Sequence, residues 1–237
     1  MSASTRDSER LLMEPTIDLV AYNGEHKDNA NVVSFKERLP GIIRSSVDDI
    51  KQKIGVSPPE NFHVEITLTD GLGAIPMVEP TGKSSTKMLK NGDVLTQKIE
   101  LSSKLVANDG MGYTKPEKII KHEIVHSILG YNNKRYHDHP LWMTEGVALW
   151  VSDQGEDFAK VPDAQRNKRW KRYKKYYDKF TKRIDKKGVQ QTVRDMVSNE
   201  DLFGVANYFK TKGVHDVLLA IAIAYISYRI VIGFIKK

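Results

Sequence analysis

Residues 114–130 read Thr-Lys-Pro-Glu-Lys-Ile-Ile-Lys-His-Glu-Ile-Val-His-Ser-Ile-Leu-Gly, and the fold turns on this stretch. Thr114 and Glu117 have the spacing of a capping box, in which the hydroxyl takes an orphan amide and the carboxylate reaches back. Pro116 is tolerated in the first turn. The pattern predicts a helix running to about Leu129 and stopping at Gly130. Within it His122 and His126 stand four residues apart, one above the other on the same face, so both imidazoles reach a single ion. Glu123 projects beside them. Ile119, Ile120, Ile124, Val125 and Leu129 make the helix a core element.

The chain has no cysteine, so a metal site must be built from histidine and carboxylate ligands. A third ligand is available in Glu145, within Pro140-Leu-Trp-Met-Thr-Glu-Gly-Val-Ala148, with eighteen residues between it and His126. That spacing suits a return loop, Tyr131 to His139, followed by an antiparallel helix from Pro140 to about Val151. Gly146 and Ala148 are small and are expected to let this second helix approach the first closely. His137 and His139, in the loop, are the rival ligands. Two histidines and one glutamate, with water in the fourth position, form a catalytic zinc arrangement, because a structural zinc is closed by four protein ligands. Such a zinc lowers the pKa of its water to about 7 and polarises a carbonyl, and Glu123 takes the proton and returns it to the leaving amine. One zinc per chain is expected.

Working outward, residues 1–30 read as a loose polar lead-in. Apolar residues at helical spacing (Leu39, Ile42, Ile43, Val47, Ile50, Ile54) predict a helix over 33–54, closed by Gly55, with Pro40 near its start or kinking it. His63 to Thr69 alternates as a half-buried strand. Lys98 to Leu105 reads as a second strand, and its charged and hydroxyl residues suit an edge. Residues 163–186 predict a long amphipathic helix with Trp170, Tyr173, Tyr177, Phe180 and Ile184 on one stripe. Residues 217–235 predict a strongly apolar helix. The expected fold class is α+β, with 31–130 holding a small N-terminal mixed sheet and the active-site helix, and 131–237 forming a helical lobe of the same domain.

His-Glu-Ile-Val-His, then eighteen residues, then Trp-Met-Thr-Glu-Gly-Val-Ala resembles the gluzincin peptidases, in particular the small peptidase MA-like domains. The specific match covers about 116–151, and the order of elements extends a looser likeness over 33–235. The resemblance implies a zincin-like fold, peptide-bond hydrolysis and a substrate strand paired with the edge strand at 98–105. It also implies a tyrosine from a late helix that steadies the oxyanion: Tyr228 matches best, with Tyr225 in reserve. Many relatives place an acidic residue four positions after the glutamate ligand to orient a histidine. Here that position is Leu149, so either Asp153 or a backbone carbonyl substitutes or the site is weakened. A metzincin pattern is excluded, since Leu129 and Asn132 stand where it needs glycine and histidine.

Net charge is +7, but 13 Lys or Arg against 3 Asp fall between Lys160 and Lys187, leaving the remainder slightly acidic. Aromatics and charges occupy separate stripes of that segment, as on a solvated helix packed on a core, so a nucleic-acid partner is not favoured. Residues 217–235 approach the length of a membrane span, but Arg229 falls inside them, which favours a buried helix over an anchor. Met1 to Val20 has no secretory pattern, so a cytoplasmic location is expected. The reading is a zinc peptidase acting on peptides or proteins. Its alternatives are a catalytically inactive zincin-fold binding protein and a tail-anchored membrane protein with a basic patch.

Overall fold

The computed structural model describes residues 15–73, 82–88, 95–109, 114–133, 135–161 and 167–198. The alternation His63 to Thr69 becomes strand β2 (Phe62–Thr69), with Phe62, Val64, Ile66 and Leu68 buried on one face. Strand β4 (Leu95–Ser102) lies parallel to it in register, Glu65 opposite Lys98, and the two side chains form an ion pair of 2.7 Å on the solvated face. Strand β1 (Thr16–Leu19) adds in parallel to the far side of β2, and β3 (Gly82–Met88) runs antiparallel along β4. The sheet is mixed, in the order β1-β2-β4-β3.

Two expectations are corrected here. The lead-in is not loose throughout, because residues 16–19 close one edge of the sheet. The strand at 98–105 is not an edge: β4 is bonded on both sides, and β3 is the outer strand. Lys98 and Glu100 are exposed because one face of the sheet meets water, while Leu95, Gln97, Ile99 and Leu101 on the other face are buried.

That buried face carries the helices. Helix α1 (Ala30–Ile54) is capped by the Asn29 side chain and ended by Gly55 in the left-handed conformation, φ 70°. It starts three residues before the expected point, so Pro40 sits in its interior, where it removes one backbone donor. The short α2 (Ser103–Ala107) follows β4 directly. Helix α3 (Pro116–Asn132) buries Ile120, Ile124 and Ile128, and its Ser127 hydroxyl bonds Gln97 of β4.

The capping box does not form. Thr114 donates to Asp157, and Glu117 pairs with Arg38 at 3.0 Å, so both residues tie α3 to other elements. The helix also runs through Gly130 and ends at Asn133, whose amide bonds the Leu129 carbonyl.

Beyond it come a 3-10 turn (Tyr136–Asp138), α4 (Leu141–Val151), a second 3-10 segment (Gly155–Lys160), α5 (Lys168–Lys187) and α6 (Val189–Val197). One buried cluster runs from Tyr22 to Met196 and joins sheet and helices. Among the described residues no helix is long and apolar enough to cross a membrane. Residues 217–235, with Tyr225 and Tyr228, lie outside the described residues.

Candidate metal centre

Helix α3 presents His122 and His126 on successive turns, and α4 returns to set Glu145 against both. His122 Nε2 lies 3.1 Å from His126 Nε2 and 3.4 Å from Glu145 Oε2, and His126 Nε2 lies 3.8 Å from Glu145 Oε1. The three side chains expected from the sequence are brought together, and they could hold a metal ion. His122 is 9% exposed, His126 18% and Glu145 21%, so the group opens to solvent on the His126 and Glu145 side. His137 and His139 do not join it. His139 Nε2 is 3.0 Å from the Met196 carbonyl, and His137 faces Gly130.

Tyr136 fixes the chemistry of His126. Its ring is fully buried, and its hydroxyl donates to the Thr144 carbonyl at 3.2 Å, which can only accept. The same oxygen lies 2.9 Å from His126 Nδ1. With its proton committed to Thr144, the hydroxyl accepts from Nδ1–H, and the Nε2 lone pair of His126 is left facing the site. Among the described residues neither Asp153 nor a backbone carbonyl, the groups expected to substitute for an acidic residue at 149, meets His126; the Tyr136 hydroxyl does.

Leu149 is buried in the core, and Asp153 is engaged elsewhere. Its carboxylate meets Lys53 at 2.6 Å and Lys121 at 3.7 Å, and its carbonyl accepts from Lys118 at 2.9 Å. Asp153 takes a left-handed conformation, φ 58°, at the chain reversal after α4. That reversal sets Gln154 near His122, whose Nδ1 is buried without a hydrogen-bond partner.

Burial works against charge on His122, but its hydrogen bond to Glu145 and the charges of Glu123 and Glu145 outweigh it and raise the pKa. Burial and the neighbouring His122 charge lower that of His126. Burial would raise Glu145, yet the His122 hydrogen bond, both imidazoles and Arg169 bring it down to about 2. A metal ion bound among the three side chains would compete with protons for these ligand atoms. Glu123, half-buried on α3, acts electrostatically on both histidines, on Tyr136 and on Tyr173.

The sequence reading missed Tyr136 and the α5 residues Tyr173 and Arg169. The signal for Tyr136 was an aromatic within an otherwise polar loop. Tyr173 was assigned to the apolar stripe without its neighbour Arg169, whose guanidinium carbon stacks 5.6 Å from the Tyr173 ring. Gly146 admits α5 rather than α3. A Cβ there would lie 2.6 Å from Phe180 Cβ and 3.0 Å from the Tyr176 carbonyl. The helix carrying Tyr173 is thereby pinned beside Glu145.

No family model matches the chain, and neither a curated protein nor a solved structure matches it.

Proposed function

We propose that the chain is a zinc-dependent peptidase of zincin-like, gluzincin type. His122, His126 and Glu145 are its metal ligands and Glu123 its general base. The observation that carries the reading is the convergence of the three side chains: His122 Nε2 is 3.1 Å from His126 Nε2 and 3.4 Å from Glu145 Oε2, Glu145 Oε1 is 3.8 Å from His126 Nε2, and one ligand atom from each residue lies within 4.8 Å of the others. Atoms held about 2.0–2.1 Å from a tetrahedral zinc are about 3.3–3.4 Å apart, the edge of the tetrahedron. The closest approaches of the side chains lie near that value, and three protein ligands leave the fourth position for water or substrate. The chemical pattern of the donors supports the same metal: two neutral imidazole nitrogens, one fixed by Tyr136, and one carboxylate. Zinc bound there supplies Lewis acidity towards water and a peptide carbonyl.

The protein's own part is to hold and move a proton. Glu123 accepts one from the attacking water and passes it to the leaving amine. Tyr136 keeps His126 in the ligating tautomer. Tyr228, the phenol that the family resemblance points to, lies outside the described residues. Tyr173, like Tyr136, is a phenol that feels the charges of Glu145 and Glu123, and Arg169 lies over its ring.

The test is metal analysis and peptide digestion by the full chain, His126→Ala and Glu123→Gln. The expected result is about one zinc per chain in the wild type and in Glu123→Gln, none in His126→Ala, and peptide cleavage in the wild type alone. Glu123→Gln should lose at least about a hundredfold in rate, the low end for a general base. Zinc retained in His126→Ala overturns the ligand set. Zinc-loaded wild type that leaves every peptide of a complex digest intact overturns the enzyme and leaves a binding protein.

A further inference from the structure

We propose that Arg169 is the specificity residue of this site, and that it selects peptides carrying a carboxylate next to the scissile bond. The inference rests on the peptidase reading and adds a substrate class to it.

Position comes first. Gly146 seats Phe180 and Tyr176 of α5 against α4, immediately after the candidate ligand Glu145. Tyr173 and Arg169 continue towards the N-terminal end of α5, about 4 and 10 Å along the axis from Tyr176 at 1.5 Å per residue. The Asn167 side chain accepts from the amides of Arg169 and Trp170 at 2.9 and 3.0 Å, so the first turn that carries Arg169 is formed and capped. The guanidinium carbon then lies over the Tyr173 ring, 5.6 Å from its centroid, a contact that limits its freedom.

Charge comes second. Arg169 and Tyr173 are half-buried on the helix that Gly146 seats beside Glu145. Yet among the described residues no carboxylate comes within 4 Å of the guanidinium. Other partly sheltered cations of the helical half are committed, Arg183 to Asp195 at 2.6 Å and Lys118 to Asp157 at 2.9 Å. With zinc bound, the charges of Glu145 and Glu123 balance the metal, and Arg169 is the surplus cation at the edge of the site. A planar guanidinium held beside a peptide-cleaving centre takes a carboxylate in bidentate fashion. Two sources offer that group: the C-terminus of the substrate, or an aspartate or glutamate beside the cleaved bond.

The experiment uses three synthetic peptides with the same fluorophore and the same backbone. One ends as the free acid, one as the carboxamide, and the third is the carboxamide with an aspartate following the scissile bond. The expected result is that the zinc-loaded protein prefers one anionic peptide over the neutral carboxamide by at least about tenfold in kcat/KM, expressed in KM. In Arg169→Met the ratio falls to near one, and in Arg169→Lys, which keeps the charge but not the fork, it is intermediate. Preference for the free acid identifies the terminal carboxylate, and preference for the aspartyl peptide identifies the side chain.

Fluorescence anisotropy with zinc-loaded Glu123→Gln, which binds without turnover, should give the same order of affinities. Adding Arg169→Met should abolish it. Cleavage of all three peptides with equal efficiency, or a preference that survives Arg169→Met, overturns the inference and leaves the peptidase intact. Arg169-dependent binding of the anionic peptide with no cleavage supports anion recognition and overturns the peptidase. Neither cleavage nor binding overturns both.

Discussion

Replacing Tyr136 by phenylalanine removes one oxygen and leaves the buried ring in place. Two groups lose their partner, the Thr144 carbonyl at 3.2 Å and His126 Nδ1 at 2.9 Å. Each buried neutral hydrogen bond contributes about 1 kcal/mol net, so the metal-free protein should lose about 2 kcal/mol. For a domain of this size that is about 4–8 °C in melting temperature. The larger consequence is for the metal. Without the acceptor, nothing holds the proton of His126 on Nδ1, and the tautomer with a protonated Nε2 competes with ligation. Loss of a group that orients a metal-bound imidazole typically costs about 10- to 100-fold in affinity. Competition for zinc against a chromophoric chelator measures it, with thermal unfolding of metal-free and loaded protein run alongside. An affinity within twofold of wild type, whatever happens to the melting temperature, refutes the tautomer argument and reduces Tyr136 to a packing residue.

Glu145→Ala should lose zinc, and so should Glu145→Asp, which retracts the carboxylate by about 1.5 Å where ligand distances tolerate about 0.2 Å. His139→Ala should keep the metal, and chelator competition across the three variants checks the ligand set. Gly146→Ala should destabilise by about 1–3 kcal/mol through overpacking, since the new methyl meets Phe180 Cβ at 2.6 Å and the Tyr176 backbone at 3.0 Å; urea denaturation measures it. Asp195 accepts from Arg183, Lys187 and Gln191 at 2.6, 3.2 and 2.8 Å, and although burial opposes it, these bonds hold its pKa below the usual value of 3.8. Its stabilisation is therefore full above about pH 4 and is lost as the pH falls through the depressed folded value. Asp195→Asn should cost about 1–3 kcal/mol at neutral pH, and the gap to wild type in denaturant titrations should narrow on acidification below pH 4.

What the sequence made legible was periodic or chemically marked. The alternation from Val64 to Leu68 was read as a strand because one face of β2 is buried and the other is not. His122, His126 and Glu145 were read as one group because helical spacing and a short return loop leave few other arrangements. Charged Lys98 and Glu100 misled because a solvated face and a solvated edge leave the same trace in sequence, and only hydrogen-bond partners separate them. Strands β1 and β3 were missed for a related reason. One is four residues long, the other reads Gly-Lys-Ser-Ser-Thr-Lys-Met, and both owe their conformation to pairing with distant segments. Thr114 and Glu117 matched a local capping rule, but Asp157 and Arg38, far away in sequence, offered stronger partners. Tyr136 depends on three groups converging from a helix, a loop and a carbonyl of the next helix, which no spacing rule encodes.

The inner place of β4 settles how this sheet can grow. A strand has two sides of backbone valence, and both sides of β4 are spent, one on β2 and one on β3. Among the described residues, the unspent backbone donors and acceptors at that end of the sheet belong to β3. A peptide lengthening the sheet past β4 therefore runs along residues 82–88, about 4.8 Å farther out than a guest docked directly on β4.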